Sequence, residues 1–153
     1  MSLKVQLIIT GPDEPAGEAL ELLAVRARDA RPAMKAILDI TLEGESRIFD
    51  TGDAAGGRSW APDDPAWSAR KRREGKSSQP ERYTDALMKS LTQPHASGGV
   101  RRVNKFSAVL GTTLYYAKWQ KRPLLSKLRY VPGVVARAQD VVVEWFMEGT
   151  VTS

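Results

Sequence analysis

Few residues in this 153-residue chain could do covalent or metal chemistry. With no cysteine and a single histidine, it lacks the thiolates for a disulfide framework and the ligands for a Cys/His zinc site. His95 stands in a Pro/Ser/Gly loop with no nucleophile nearby in sequence, which reads as a surface residue rather than a general base. Asp63 and Asp64 offer two carboxylates where calcium takes roughly six or more oxygen ligands, and two acids ahead of Pro65 read better as the cap of a helix. The run Gly52-Asp-Ala-Ala-Gly-Gly57 lacks both the Lys-Ser/Thr pair of a P-loop and the spacing of a dinucleotide fingerprint, so a flexible turn is expected there. The inventory gives no active site, no cofactor and no small-molecule substrate.

What the chain does offer is surface. Leu110 to Leu125 joins a strand, a turn, an aromatic cluster and a basic stop: Tyr115, Tyr116 and Trp119 supply large stiff contact area, ringed by Lys118, Lys121 and Arg122 before Pro123. Trp60 and Trp67 stand in an otherwise polar stretch beside the basic run Arg70-Lys-Arg-Arg73. Trp60, Trp67, Arg70, Arg72, Arg73, Tyr115, Tyr116, Trp119, Arg122 and Pro123 are therefore the candidate protein-interface residues. The plainer alternatives are that the basic run is a solvated loop and that both tryptophans pack on their own core.

The formal charge of +5 hides a partition. Residues 1–64 carry 7 Lys/Arg against 12 Asp/Glu, a net −5; residues 65–130 carry 15 against 3, a net +12; residues 131–153 carry 1 against 3, a net −2. A basic middle between acidic ends calls for an acidic partner, either nucleic acid or the acidic part of a neighbouring copy. Self-complementary charge of this kind suits a head-to-tail ring, in which unlike surfaces meet.

These residues must be held by a framework, and its class reads as α+β in a single domain over 1–153 with an extended basic arm at about 50–80. Leu3, Val5, Leu7 and Ile9 alternate as a half-buried strand ending at Gly11-Pro12. A helix follows, capped by Asp13, with Leu20, Leu23, Ala24 and Ala27 at helical spacing until Pro32 interrupts or kinks it. Met34, Ile37, Leu38, Thr41 and Leu42 continue toward Ile48 and Phe49, with Gly44 as a weak point. Within the arm a short helix is expected near Pro65–Arg73, and another at Tyr83–Leu91 with Leu87, Met88 and Leu91 inward. Val100 to Leu110 alternates as a hairpin turning at Asn104-Lys105, with Val103, Phe106, Ala108 and Leu110 on the buried side. From Pro132 a wide apolar face of Val134, Val135, Ala138, Val141, Val142, Trp145 and Phe146 predicts a C-terminal amphipathic helix lying on the sheet. No apolar run reaches the roughly 18 residues of a membrane span, and the first ten residues lack a signal peptide's cleavage region, so a soluble, non-secreted protein with no membrane partner is expected.

The order of these segments resembles the phage virion morphogenesis and tail-completion proteins, small neck proteins of tailed phages. The residues that carry the resemblance are Ile48-Phe-Asp50 ending a long helix, Gly57 to Pro62 as a Gly-x-x-Trp-x-Pro turn, the basic helix Trp67 to Arg73, Thr84 to Ser90, the box Tyr116, Ala117 and Gln120, and Arg122-Pro123 before the last helix. The N-terminal strand leaves room for a tail-terminator-type relative. The resemblance implies a non-enzymatic virion structural protein, assembled in the host cytoplasm as a homo-oligomeric ring at the head–tail junction or the head-proximal end of the tail. Its neighbours would be head–tail connector and tail-tube proteins, with DNA passing through the channel without sequence-specific recognition. The competing reading is a nucleic-acid-binding module that uses the basic, aromatic-rich middle to track phosphates and stack bases.

Overall fold

The computed structural model describes residues 15–57, 59–80, 82, 84–119 and 131–151. The expected strand over the first residues and the interface candidates Arg122 and Pro123 lie outside the described residues. Among those described, the order is α1 (Pro15–Arg28), α2 (Arg31–Asp50), α3 (Pro65–Arg73), α4 (Ala86–Thr92), β1 (Gly99–Asn104), β2 (Ser107–Thr112) and α5 (Val134–Glu148). Helices with one two-stranded antiparallel sheet make the α+β class.

Helix α2 is the axis of the molecule because its apolar residues are spread around more than one face. Its N-terminal half sets Ala33 and Ile40 against Val141 of α5, with Met34, Ile37, Val134 and Trp145 completing that cluster. Its C-terminal end sets Phe49 against Leu87 and Leu91 of α4, with Trp60, Leu114 and Tyr116 packed around them. Pro32 sits in the first turn of α2, where its missing N–H costs nothing, so the chain forms a pair of helices rather than one bent rod. The junction is pinned from outside: the Ala30 N–H donates to the Lys105 carbonyl at the tip of the hairpin, 2.9 Å away.

The strands pair from Gly99 opposite Thr112 to Asn104 opposite Ser107, leaving Lys105 and Phe106 as the turn. Val103, Ala108 and Leu110 are half-buried as expected, but Phe106 is 63% exposed. The turn lies one residue later than the alternation suggested, which removes Phe106 from the buried face and places it at the tip. Gly99 has no alternative, since a Cβ there would stand 2.8 Å from the Ser90 carbonyl oxygen. That close approach brings the C-terminus of α4 onto β1, where the Arg101 guanidinium donates to the carbonyls of Ser90 (2.6 Å) and Gln93 (3.0 Å).

The C-terminal helix corrects one expectation. It does not principally cover the sheet; it packs on α2 and α1, while the sheet packs on α2 and α4. The hairpin's inner face is already covered by those two helices, so the apolar stripe of α5 goes to the N-terminal half of α2. Its end is clasped by α1. Arg26 donates to the Phe146 carbonyl at 2.7 Å, and Trp145 Nε1 donates back to the Arg26 carbonyl at 3.3 Å. Leu20, Leu22 and Val25 of α1 and Val135, Val143 and Met147 of α5 remain exposed. No described helix is long and apolar enough to cross a membrane.

Candidate interaction surfaces

The arm that leaves α2 at Asp50 is organised from its first turn. The Asp53 N–H donates to the Ile48 carbonyl at 2.7 Å, a 3-10 turn covers Ala54–Gly56, and the Trp60 N–H returns to the Gly52 carbonyl at 2.7 Å. Gly52 to Gly57 is thus a folded connection rather than a loose one. It delivers the Trp60 ring edge-on to Phe49, with centroids 5.4 Å apart, inside the α2/α4 cluster. Trp60 serves its own core.

Helix α3 is built by its flanks. The Asp64 carboxylate accepts from the N–H groups of Ala66 (2.9 Å) and Trp67 (3.3 Å), Pro65 occupies the first position, and four cations crowd the last turn where the helix dipole favours them. The neighbouring Asp63 has another task. Lys71 is 1% exposed, and its Nζ donates to Asp63 Oδ2 at 2.8 Å and to the Gln79 carbonyl at 2.6 Å. A buried ammonium with a short carboxylate partner and a carbonyl is strongly position-determining, because breaking it strands a charge. The two adjacent acids are therefore accounted for by a cap and an ion pair, and no group of three or more His, Asp or Glu among the described residues could hold a metal ion.

With Lys71 turned in, Arg70, Arg72 and Arg73 turn out. Trp67 is 38% exposed, with the Arg70 guanidinium 5.5 Å from its ring centre and Arg70 Nε also bound to Glu74 at 2.8 Å. No other described helix or strand packs extensively on α3. The result is an aromatic and cationic knob anchored by the buried Lys71–Asp63 pair.

The second predicted cluster divides. Tyr115 is 78% exposed and Tyr116 packs inward on the Phe49, Leu87 and Leu91 cluster, their rings edge to face at 5.5 Å. Trp119 ends the 3-10 turn over Tyr115–Trp119. His95 is exposed, as its loop suggested.

Among the described residues, concavities lie on two sides of α2. One, about 630 Å³, lies between α1, the start of α2 and β1; Val25, Pro32, Val103 and Trp145 line it beneath Arg26, Arg31, Lys35 and Asp29. The other, about 290 Å³, runs between α2 and α5, with Ala36, Ile40 and Val141 beneath Asp39, Glu43, Asp140 and Glu144. Its lining includes one cation, Arg137, which is tied to Glu43 at 2.6 Å.

Residue reasoning missed Glu45. It is fully buried on α2, its two carboxylate oxygens have no hydrogen-bond partner, and burial, reinforced by the nearby Asp53 carboxylate, pushes its pKa up to about 8. The signal was present in the register: Leu38, Leu42, Glu45 and Phe49 follow one another at helical spacing on one face, all buried. The chain matches no protein-family model, and no curated protein or solved structure matches it.

Proposed function

We propose that this chain is a non-enzymatic structural protein of a tailed-phage virion that assembles as a homo-oligomeric ring at the head–tail junction or the head-proximal end of the tail, as a tail-completion, tail-terminator or other neck component. The observation that carries the reading is α3: an exposed tryptophan and three outward arginines on a short helix whose orientation is locked by the buried Lys71–Asp63 pair. Pre-organised aromatic and arginine anchors are the residues that dominate protein interfaces. The charge partition between a basic middle and acidic ends supports contact between copies, and the order of segments supports the neck. Connector and tail-tube proteins would lie above and below, and DNA would cross the channel without base readout.

The same helix favours one other reading. Arginines around a half-exposed tryptophan also suit a nucleic-acid module, in which phosphates pair with the cations and a base stacks on the ring. The two are separated by light scattering after size exclusion, at low and high salt, with and without a short duplex. A closed oligomer whose mass is indifferent to the duplex is the expected result. Co-migration with the duplex that falls steeply with salt would replace the ring by the nucleic-acid module.

A further inference from the structure

We infer that the acidic groove between α2 and α5 receives helix α3 of a second copy. This rests on the ring reading and names the two surfaces that would meet in it. Four carboxylates, Asp39, Glu43, Asp140 and Glu144, rim the groove, and the one guanidinium among its lining residues is already engaged by Glu43. Beneath them lie Ile40 and Val141, an apolar floor at the centre of a charged rim. At about 290 Å³ the groove is at or below the small end of ligand pockets, which run from roughly 300 to 1,000 Å³, and it is scaled to a single large side chain. On α3, Trp67 supplies that side chain and Arg72 and Arg73 supply the opposite charge, both exposed.

Charge also distinguishes this groove from the larger concavity on the other side of α2. The larger one, beside α1, carries Arg26, Arg31 and Lys35 against Asp29 alone, so a basic helix is repelled there and attracted to the α2/α5 side. Because a groove on one copy meets a different element on the next, the contact is heterologous and repeats around a ring. The occupant comes from another molecule: α3 is held by Asp63 and Gln79 of its own arm, and among the described residues the groove of the same chain is open.

The absence of native cysteine makes the test direct. Arg73→Cys and Asp140→Cys are introduced in separate chains, mixed, mildly oxidised and separated without reductant, with Arg73→Cys mixed with Lys35→Cys as the control for the larger concavity. A mixed disulfide-linked dimer for Arg73→Cys with Asp140→Cys, at least about tenfold above that control, is the expected result. In parallel, Asp39→Arg/Asp140→Arg should weaken self-association about tenfold or more, and adding Arg72→Glu/Arg73→Glu to the same chain should restore it. If the wild-type chain forms a closed oligomer by light scattering but the cross-link does not exceed the control, or the double reversal restores nothing, this contact is wrong while the ring reading stands. A wild-type chain that stays monomeric at every concentration, together with no cross-link between the Arg73→Cys and Asp140→Cys chains above the control, overturns both.

Discussion

Glu45 should make the protein less stable as the pH rises from acid to neutral, the reverse of what an ion-paired carboxylate does. In the folded state its pKa is pushed from 4.5 up to about 8, because burial and the Asp53 carboxylate both penalise its charged form. The native state therefore holds a proton that the unfolded chain has released, and stability falls wherever the native state binds more protons. The window opens near pH 4.5, the unfolded value, and closes near pH 8, the folded one. Each pKa unit is worth about 1.4 kcal/mol, so the penalty at pH 7 is about 3 kcal/mol, and water penetration around the ionised group would reduce that figure. The assay is urea unfolding followed by tryptophan fluorescence from pH 5 to 9, with Glu45→Gln alongside. The amide adds its own unsatisfied hydrogen bonds, an offset of about 1–3 kcal/mol that does not vary with pH. The readout is therefore the pH dependence of the difference. The variant should gain on the wild type by roughly 1 kcal/mol per pH unit between pH 5 and 7 and level off above pH 8. A difference that stays flat across this range would show that Glu45 is solvated or paired in the folded protein, and the account would be wrong.

Asp63→Ala strands the Lys71 ammonium and should destabilise the 62–80 segment by about 3 kcal/mol, seen as faster hydrogen exchange and tryptic cleavage at Arg70 to Arg73; Lys71→Met in the same chain should recover most of it. Gly149→Ala forces a Cβ to within 2.7–2.9 Å of the Arg26 side chain at a φ of +73°, and should cost about 2 kcal/mol, a fall in Tm of about 4–8 °C. Trp60→Ala empties part of the α2/α4 cluster and should cost about 3–5 kcal/mol of fold stability. Trp67→Ala should change monomer stability by less than about 1 kcal/mol and weaken self-association by about 2 kcal/mol, measured by concentration-dependent light scattering. If Trp67→Ala unfolds the chain, that residue is core and the interface reading of α3 fails.

The helices were legible because their signals are local. Asp64-Pro65 announces the start of α3, and the apolar spacing from Val134 onward announces α5. What was not legible depends on partners distant in sequence. Four consecutive cations read as a solvated run, yet Lys71 is buried because Asp63 and the Gln79 carbonyl converge on it from either side of the helix in sequence. The wide face of α5 says that it must be covered, not by which element, and α2 had a free flank where the hairpin did not. Phe106 was assigned inward by parity alone, and a one-residue shift of the turn moved it out. For the interface candidates, residue type identified the aromatic clusters, but only packing separates Trp60 and Tyr116, which hold the core, from Trp67 and Tyr115, which face outward.

The placement of α3 also bears on how this protein can change over time. The excursion from Asp50 to Ala86 begins and ends on two helices, α2 and α4, that pack directly on each other, so closing it adds little strain whatever its length. Loop-closure entropy grows by only about 0.6 kcal/mol for each doubling of length. Beyond Trp60, the segment can lengthen, shorten or exchange its charged face while Phe49, Leu87 and Leu91 keep their packing. A lineage could alter the charged face of α3 in few steps, and an engineer could replace residues 61–80 with another capped helix as a cassette.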